Sequence, residues 1–181
     1  MIQYLLRKFC GSYFDFSIEG LSVPLFRLPR FVGWGEHTVT VGQHSMHCYE
    51  LAKLLYPDNY RVQLLALVHD LPETFYGDIP SYVKVGLGLE AHKLFWEIDQ
   101  DIYYRLGIPL PRAPEQTLIK ELDRTALTLE AWYVFSKDID FEDWPTPQTW
   151  NLRYLIESLK KEPSDFTKLF YELKEKNAKE S

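Results

Sequence analysis

Five histidines, His37, His44, His47, His69 and His92, are the first place to look for chemistry in this 181-residue chain. One is followed directly by an acid, His69-Asp70, just after the apolar run 64–68. Two adjacent titratable groups at the end of an apolar helix need compensation if they are buried. A divalent cation supplies it, because a neutral imidazole and a carboxylate are both suitable ligands. His44 lies 25 residues upstream, at the start of the preceding apolar segment. With helix, short turn and helix between them, the start of the first helix can lie beside the end of the second. The fourth donor expected is Asp123, in the mostly apolar stretch 118–127. Its bland alternative is a solvated residue pairing with Arg124 or Lys120.

A cation on His44, His69, Asp70 and Asp123 would lower the pKa of bound water and neutralise charge on a phosphoryl group. The chemistry this suggests is hydrolysis of a phosphate ester or anhydride. Glu73, four residues after His69, shares its face if the helix continues. It could then donate a proton to a leaving group or orient water. Pro72 stands against that, since it removes a backbone donor and can end regular helix. Lys84 reads either as a phosphate contact or as an ordinary surface lysine. His47, three residues after His44, reads as a packed histidine, with a supporting or accessory ligand role as the alternative. Cys48 reads as a small buried side chain.

The set His44, His69-Asp70 and Asp123 resembles the signature of the HD-domain metal-dependent phosphohydrolases. Val41-Gly42-Gln43-His44-Ser45 resembles the surroundings of the first ligand in the small nucleotidase-like branch, which holds 5′-deoxynucleotidases and phage dATP triphosphohydrolases. His69-Asp70-Leu71-Pro72-Glu73, then Gly77-Asp78-Ile79-Pro80 and Lys84, resembles the second block of that branch. The resemblance covers about residues 26–130. It implies one all-α HD-type domain over 1–181, with Zn, Co, Mn or Mg as cofactor and Glu73 and Asp78 as catalytic residues. Asp78 could equally be a capping carboxylate. Arg30 stands where relatives place an Arg that clamps phosphate or sugar oxygens. Phe31, Trp34 and Tyr82 are the expected walls for a base, although core packing competes for Trp34. The sequence departs from the nucleotidase pattern at Phe31, where Trp is usual, and at Tyr82, where many relatives carry Pro. The implied activity is release of triphosphate from a dNTP, with dATP the candidate. A 5′-deoxynucleotidase and a silent nucleotide-binding HD domain are the alternatives.

These residues must be held by elements that the pattern also predicts. Residues 1–10 read as a short helix. Residues 11–41 read as irregular, with a short strand or hairpin over 18–28, where apolar residues partly alternate. From Gly42 onward the period is helical. Helices are expected over 41–56, 60–71, 87–106, 115–135, 149–159 and 164–176, with a loop at 138–147. The helix over 41–56 carries Met46, Leu51, Leu54 and Leu55 as its apolar stripe. Leu64, Leu67, Val68, Leu71, Leu118, Leu122, Leu129 and Trp132 are core candidates. The expected architecture is an all-α bundle of six or seven helices.

Composition agrees with one globular domain. Hydrophobic residues make up 46% and charged residues 25%, with a formal charge of −6. That acidic balance disfavours nucleic-acid coating, which depends on neutralising phosphates. The longest apolar run near the middle is far short of the ~20 residues a membrane span needs. Two cysteines provide no disulfide framework. The first residues lack a long apolar core and a small-residue cleavage site, which argues for a cytoplasmic protein. The expected partners are a deoxynucleotide and, given 15% aromatic residues, further copies of the chain. No membrane or sequence-specific nucleic-acid partner is expected.

Overall fold

The computed structural model describes residues 15–135 and 151–180. The helix expected over 1–10, Cys10 and the loop expected at 138–147 lie outside the described residues. In chain order the elements are α1 (Ile18–Leu25), a 3₁₀ turn (Arg30–Gly33), α2 (Val41–Leu55), α3 (Tyr60–Val68) and α4 (Glu73–Tyr76). They continue with α5 (Ser81–Gly86), α6 (Leu89–Arg105), α7 (Ala113–Val134), α8 (Leu152–Leu159) and α9 (Pro163–Glu180). Among the described residues the fold is all-α. The one strand-like pairing there is an isolated bridge between Pro29 and Thr40.

The expected strand or hairpin over 18–28 is therefore a helix. Ser17 caps it, its hydroxyl accepting from the Gly20 amide at 3.1 Å. Ile18, Leu21, Ser22 and Leu25 are then buried at helical spacing. Gly20 and Pro24 disguised this period. The glycine is required because a Cβ there would collide with Asp15. The proline withholds the amide that would reach the Gly20 carbonyl, and the helix ends one residue later at Leu25.

Helix α3 is the centre of the fold. All its residues from 62 to 68 are buried, as expected of a helix that is apolar all round. It packs on α2, α7 and α9. One side of the core joins Leu64, Leu65 and Val68 to Ile102, Phe166 and Phe170. The other joins Val62 and Ala66 to Cys48, Leu51, Leu122 and Ala126. Met46 and Leu51 are buried as expected. Leu54 and Leu55, in the last turn of α2, are exposed.

The ends of these helices are fixed by side chains, and those ends carry the candidate chemistry. Thr40 and Gln43 form a reciprocal capping box at the start of α2, and Gln43 also donates to the Leu159 carbonyl at 2.8 Å. Gly42 is dictated by packing, since a Cβ there would meet the Phe26 ring. Asn59 caps α3, accepting from the Val62 amide at 3.0 Å.

Glu115 starts α7. It accepts from the Arg112 amide at 2.7 Å and pairs with Arg112 and with Arg61. Burial raises its pKa, but these donors outweigh burial and bring it from 4.5 down to about 2. A lowered carboxyl pKa contributes stability above about pH 4.5, and that contribution is lost as pH falls toward 2. Glu115→Gln is expected to cost about 1–3 kcal/mol at neutral pH. Melting temperatures of the two proteins, measured against pH, should converge toward pH 2.

Candidate metal centre

The start of α2 lies beside the end of α3, so the rings of His44 and His69 approach to 5.3 Å between centroids. His44 Nε2 lies 3.1 Å from Asp123 Oδ1 and 3.4 Å from Asp70 Oδ2. His69 Nε2 lies 3.3 Å from the same Asp70 oxygen. Donor atoms around a cation with bonds of about 2.1 Å are separated by about 3.0–3.4 Å in octahedral or tetrahedral geometry. The three separations, His44 to Asp70, His44 to Asp123 and His69 to Asp70, therefore match edges of a coordination shell. Each ring is also held by its other nitrogen. His69 Nδ1 donates to the Ala66 carbonyl at 2.9 Å, a carbonyl left without a helical partner at the end of α3. His44 Nδ1 donates to Glu130, 3.0 Å from each carboxylate oxygen. Both Nε2 atoms thus face the cluster, the arrangement by which outer partners orient metal-binding histidines.

Cys48, one turn after His44, adds a further donor. Its Sγ is 3.5 Å from His44 Nε2. His44, Cys48 and His69 offer three ligand atoms within 4.8 Å of one another, a cluster that could hold a metal ion. Burial pushes the Cys48 thiol up to about 11. A cation bound there would itself deprotonate a coordinating thiol, so Cys48 stands beside the carboxylates of Asp70 and Asp123 as a candidate donor. The fit is supported by His69 Nε2, a buried nitrogen with no hydrogen-bond partner among the described residues.

Glu130 is the residue that sequence reasoning missed. It is fully buried and accepts from His44 Nδ1 and, at 2.9 Å, from His47 Nδ1. Arg30 Nε lies 3.1 Å from its other oxygen. Burial would raise its pKa, but His44, Arg30 and His47 hold it well below the usual carboxylate range. The signal was present: Glu130 is an acid between buried Leu129 and Ala131, two helical turns after Asp123. The same charges act on the cluster. Burial raises the Asp123 pKa, and His44, His69 and Arg30 outweigh it and depress it strongly. For His44, burial and Arg30 oppose a proton, yet Cys48, Glu130 and Asp123 raise its pKa well above 6.5. That proton lies where a cation would sit.

Arg30 reaches this site from a strained turn. Phe31 and Val32 both adopt the left-handed region, with φ of 55° and 57°. Each costs about 1–2 kcal/mol outside glycine. The turn is tied down by the Arg30 amide on the Val39 carbonyl at 2.8 Å and the Glu36 amide on the Val134 carbonyl at 2.8 Å. The result is a buried guanidinium, 3.6 Å from Asp70 as well as beside Glu130. Arg30 thus braces the acids of the cluster.

Glu73 is buried, and Lys84 donates to its Oε1 at 2.9 Å. Regular helix stops at Val68, and Pro72 tightens the chain into 3₁₀-like turns, with the Glu73 amide on the Asp70 carbonyl. Burial first, then the charge of Asp70, push Glu73 up to about 8 against the pull of Lys84. Asp78 acts electrostatically on Arg30, Glu73 and Lys84. The expected base walls are not brought together by any contact among the described residues. Phe31 packs edge-on against Phe135. Trp34 is 73% exposed, which overturns core packing for it, and Tyr82 is 79% exposed on α5, a helix that buries none of its side chains.

No helix among the described residues is long and apolar enough to cross a membrane. No family model matches the chain. It is 33% identical over 122 residues to an uncharacterized protein of Rhodobacter capsulatus, a match spanning 65% of this chain and 62% of that protein. It is 27% identical over 151 residues to the uncharacterized protein YfdR of Escherichia coli strain K12, spanning 77% and 76%. The chain therefore covers less than two thirds of the first relative's length.

Proposed function

We propose that this chain is an HD-type, metal-dependent phosphohydrolase of deoxynucleotides that cleaves a 5′-monophosphate in preference to a triphosphate. The observation that carries the reading is the approach of His44 Nε2 to Asp70 and Asp123, and of His69 Nε2 to Asp70, at coordination-shell spacing, with both imidazoles anchored through Nδ1. A divalent ion bound there would supply an activated water and neutralise phosphoryl charge. The imidazoles suit Zn and the carboxylates suit Mg and Mn, so the mixed donor set keeps Zn, Co, Mn and Mg as the candidates.

The chain's own residues do the rest. Glu130 orients His44, and Arg30 keeps Glu130 and Asp70 from repelling one another. Glu73 holds one oxygen on Lys84, while Oε2 has no hydrogen-bond partner among the described residues. That oxygen is the group offered for proton transfer to a leaving oxygen. Glu73→Gln is expected to lower kcat by ~10²-fold or more with much less change in KM. A normal kcat would remove the proton-transfer role.

The preference for a monophosphate follows from charge. Among the described residues Arg30 and Lys84 are the cations that pair with acids of the site, so both are already engaged, while Lys120, which lines the space reaching His69, is exposed. Arg27 and Arg124 are exposed. The extra charge of a triphosphate would therefore meet only exposed cations, whose attraction solvent and salt screen. The test is a panel of dNMPs, dNDPs, dNTPs and rNTPs with Mg²⁺, Mn²⁺, Co²⁺ and Zn²⁺, with phosphate and triphosphate release measured separately. Phosphate from dNMPs is expected. Triphosphate release would restore the triphosphohydrolase reading, and no release from any nucleotide would favour a silent binding domain.

A further inference from the structure

A cavity of about 380 Å³ opens between α6 and α7 and reaches His69 at its inner end. Its lining follows from helical spacing. Trp96, Asp99, Gln100 and Tyr103 form one face of α6, and Leu65 and His69 lie one turn apart on α3. On α7, Gln116 and Lys120 continue toward Asp123 along the same face. The cavity thus runs outward from the candidate metal centre. None of the expected base walls, Phe31, Trp34 or Tyr82, lines it.

Its chemistry is specific. Trp96 is 60% exposed at the surface, whereas Tyr103 is 6% exposed in the interior, so aromatic surface extends through its depth. Leu65 and Ile119 add apolar walls. Asp99 Oδ1 is buried and accepts no hydrogen bond among the described residues. A buried acceptor without a donor is destabilising, and such groups in an otherwise satisfied fold call for an explanation. Planar walls with a few polar groups are typical of a small-molecule site, and the volume falls in the usual range of about 300–1,000 Å³.

We propose that this cavity binds the nucleobase of the substrate, with Asp99 accepting from a ring or exocyclic N–H while the phosphate lies at the His69 end. The substrate assignment rests on the phosphohydrolase reading of the metal centre. The pocket itself can be tested without it. Asp99 is the specificity residue of this arrangement, and Trp96 is the stacking surface at the mouth.

The experiment uses deoxynucleosides, which carry no phosphate, titrated calorimetrically into the metal-free full chain and into Asp99→Leu and Trp96→Ala. At least one deoxynucleoside should bind the wild type. Asp99→Leu should weaken it by about tenfold or more, the usual loss for a hydrogen bond to a charged group. Because that variant removes an orphaned carboxyl and nearly preserves shape, its melting temperature should rise, which a merely structural Asp99 would not allow. Trp96→Ala removes a largely exposed ring and should weaken binding without unfolding the chain. The proposal is overturned if no deoxynucleoside binds the wild type, or if both variants bind as the wild type does. Deoxynucleoside binding without nucleotide hydrolysis would sustain the pocket and reject the phosphohydrolase reading. Hydrolysis without deoxynucleoside binding would do the reverse.

Discussion

Asp70→Ala should abolish turnover and release the metal. One oxygen of Asp70 lies within 3.4 Å of both His44 Nε2 and His69 Nε2, so its removal takes away the donor that links the two imidazoles. Loss of a partner behind a ligand already costs 10–100-fold in affinity or activity. Loss of the ligand itself should exceed about 100-fold in both. The fold should survive, since Asp70 lies at the end of α3 and is partly exposed. Metal content by atomic emission, together with the helical circular dichroism signal, separates the two effects. A variant that keeps full activity after chelation and metal-free dialysis would show that the ligand assignment is wrong.

The second large effect is expected at Glu130. Alanine there would leave His44 and His47 without their shared acceptor, and Arg30 without its partner charge, in a fully buried place. Breaking a buried ionic network by removing one partner costs about 3–5 kcal/mol. In a domain of this size that corresponds to a fall in melting temperature of roughly 6–20 °C. Glu130→Gln preserves shape but removes the charge, and should chiefly lower metal affinity, by about 10–100-fold. Thermal unfolding and metal titration of the pair separate the two roles. Equal melting temperatures for Glu130→Ala and the wild type would show that the buried network contributes nothing to folding.

What could be read in the sequence was what lies close along the chain or follows helical arithmetic. A helix, a turn and a helix suffice to bring His44 beside His69-Asp70, and the structure has that arrangement. Leu64, Leu67, Val68 and Leu71 are all buried because α3 is enclosed by its neighbours. Boundaries moved by a few residues where caps decide them, as at Val68, where Pro72 prevents the helix from running on to Leu71. Helix α1 was hidden because Gly20 and Pro24 resemble loop punctuation, although the buried positions keep a helical spacing. Glu130 carried a signal in its apolar setting, but its three partners come from α2 and the Arg30 turn, and spacing along α7 cannot announce them. Cys48 was read correctly as buried, and its approach to His44 Nε2 could not be seen before α2 had its orientation. The cavity beside His69 joins α3, α6 and α7 across more than fifty residues, so neither its aromatic walls nor Asp99 stood out. Trp34 shows the converse error. An aromatic in a glycine-rich segment was weighed as core, but the left-handed turn at Phe31 and Val32 leaves it exposed.

The central claim is that His44, His69, Asp70 and Asp123 hold one divalent ion on which phosphate hydrolysis depends. The most direct measurement is a calorimetric titration of chelator-dialysed protein with Mn²⁺, followed by phosphate release from dNMPs on the same samples. The account predicts saturable binding at a site lost in Asp70→Ala, and phosphate release that appears only as that site fills. A dialysed wild type that binds no divalent ion, or that hydrolyses dNMPs at an undiminished rate in excess chelator, would contradict it.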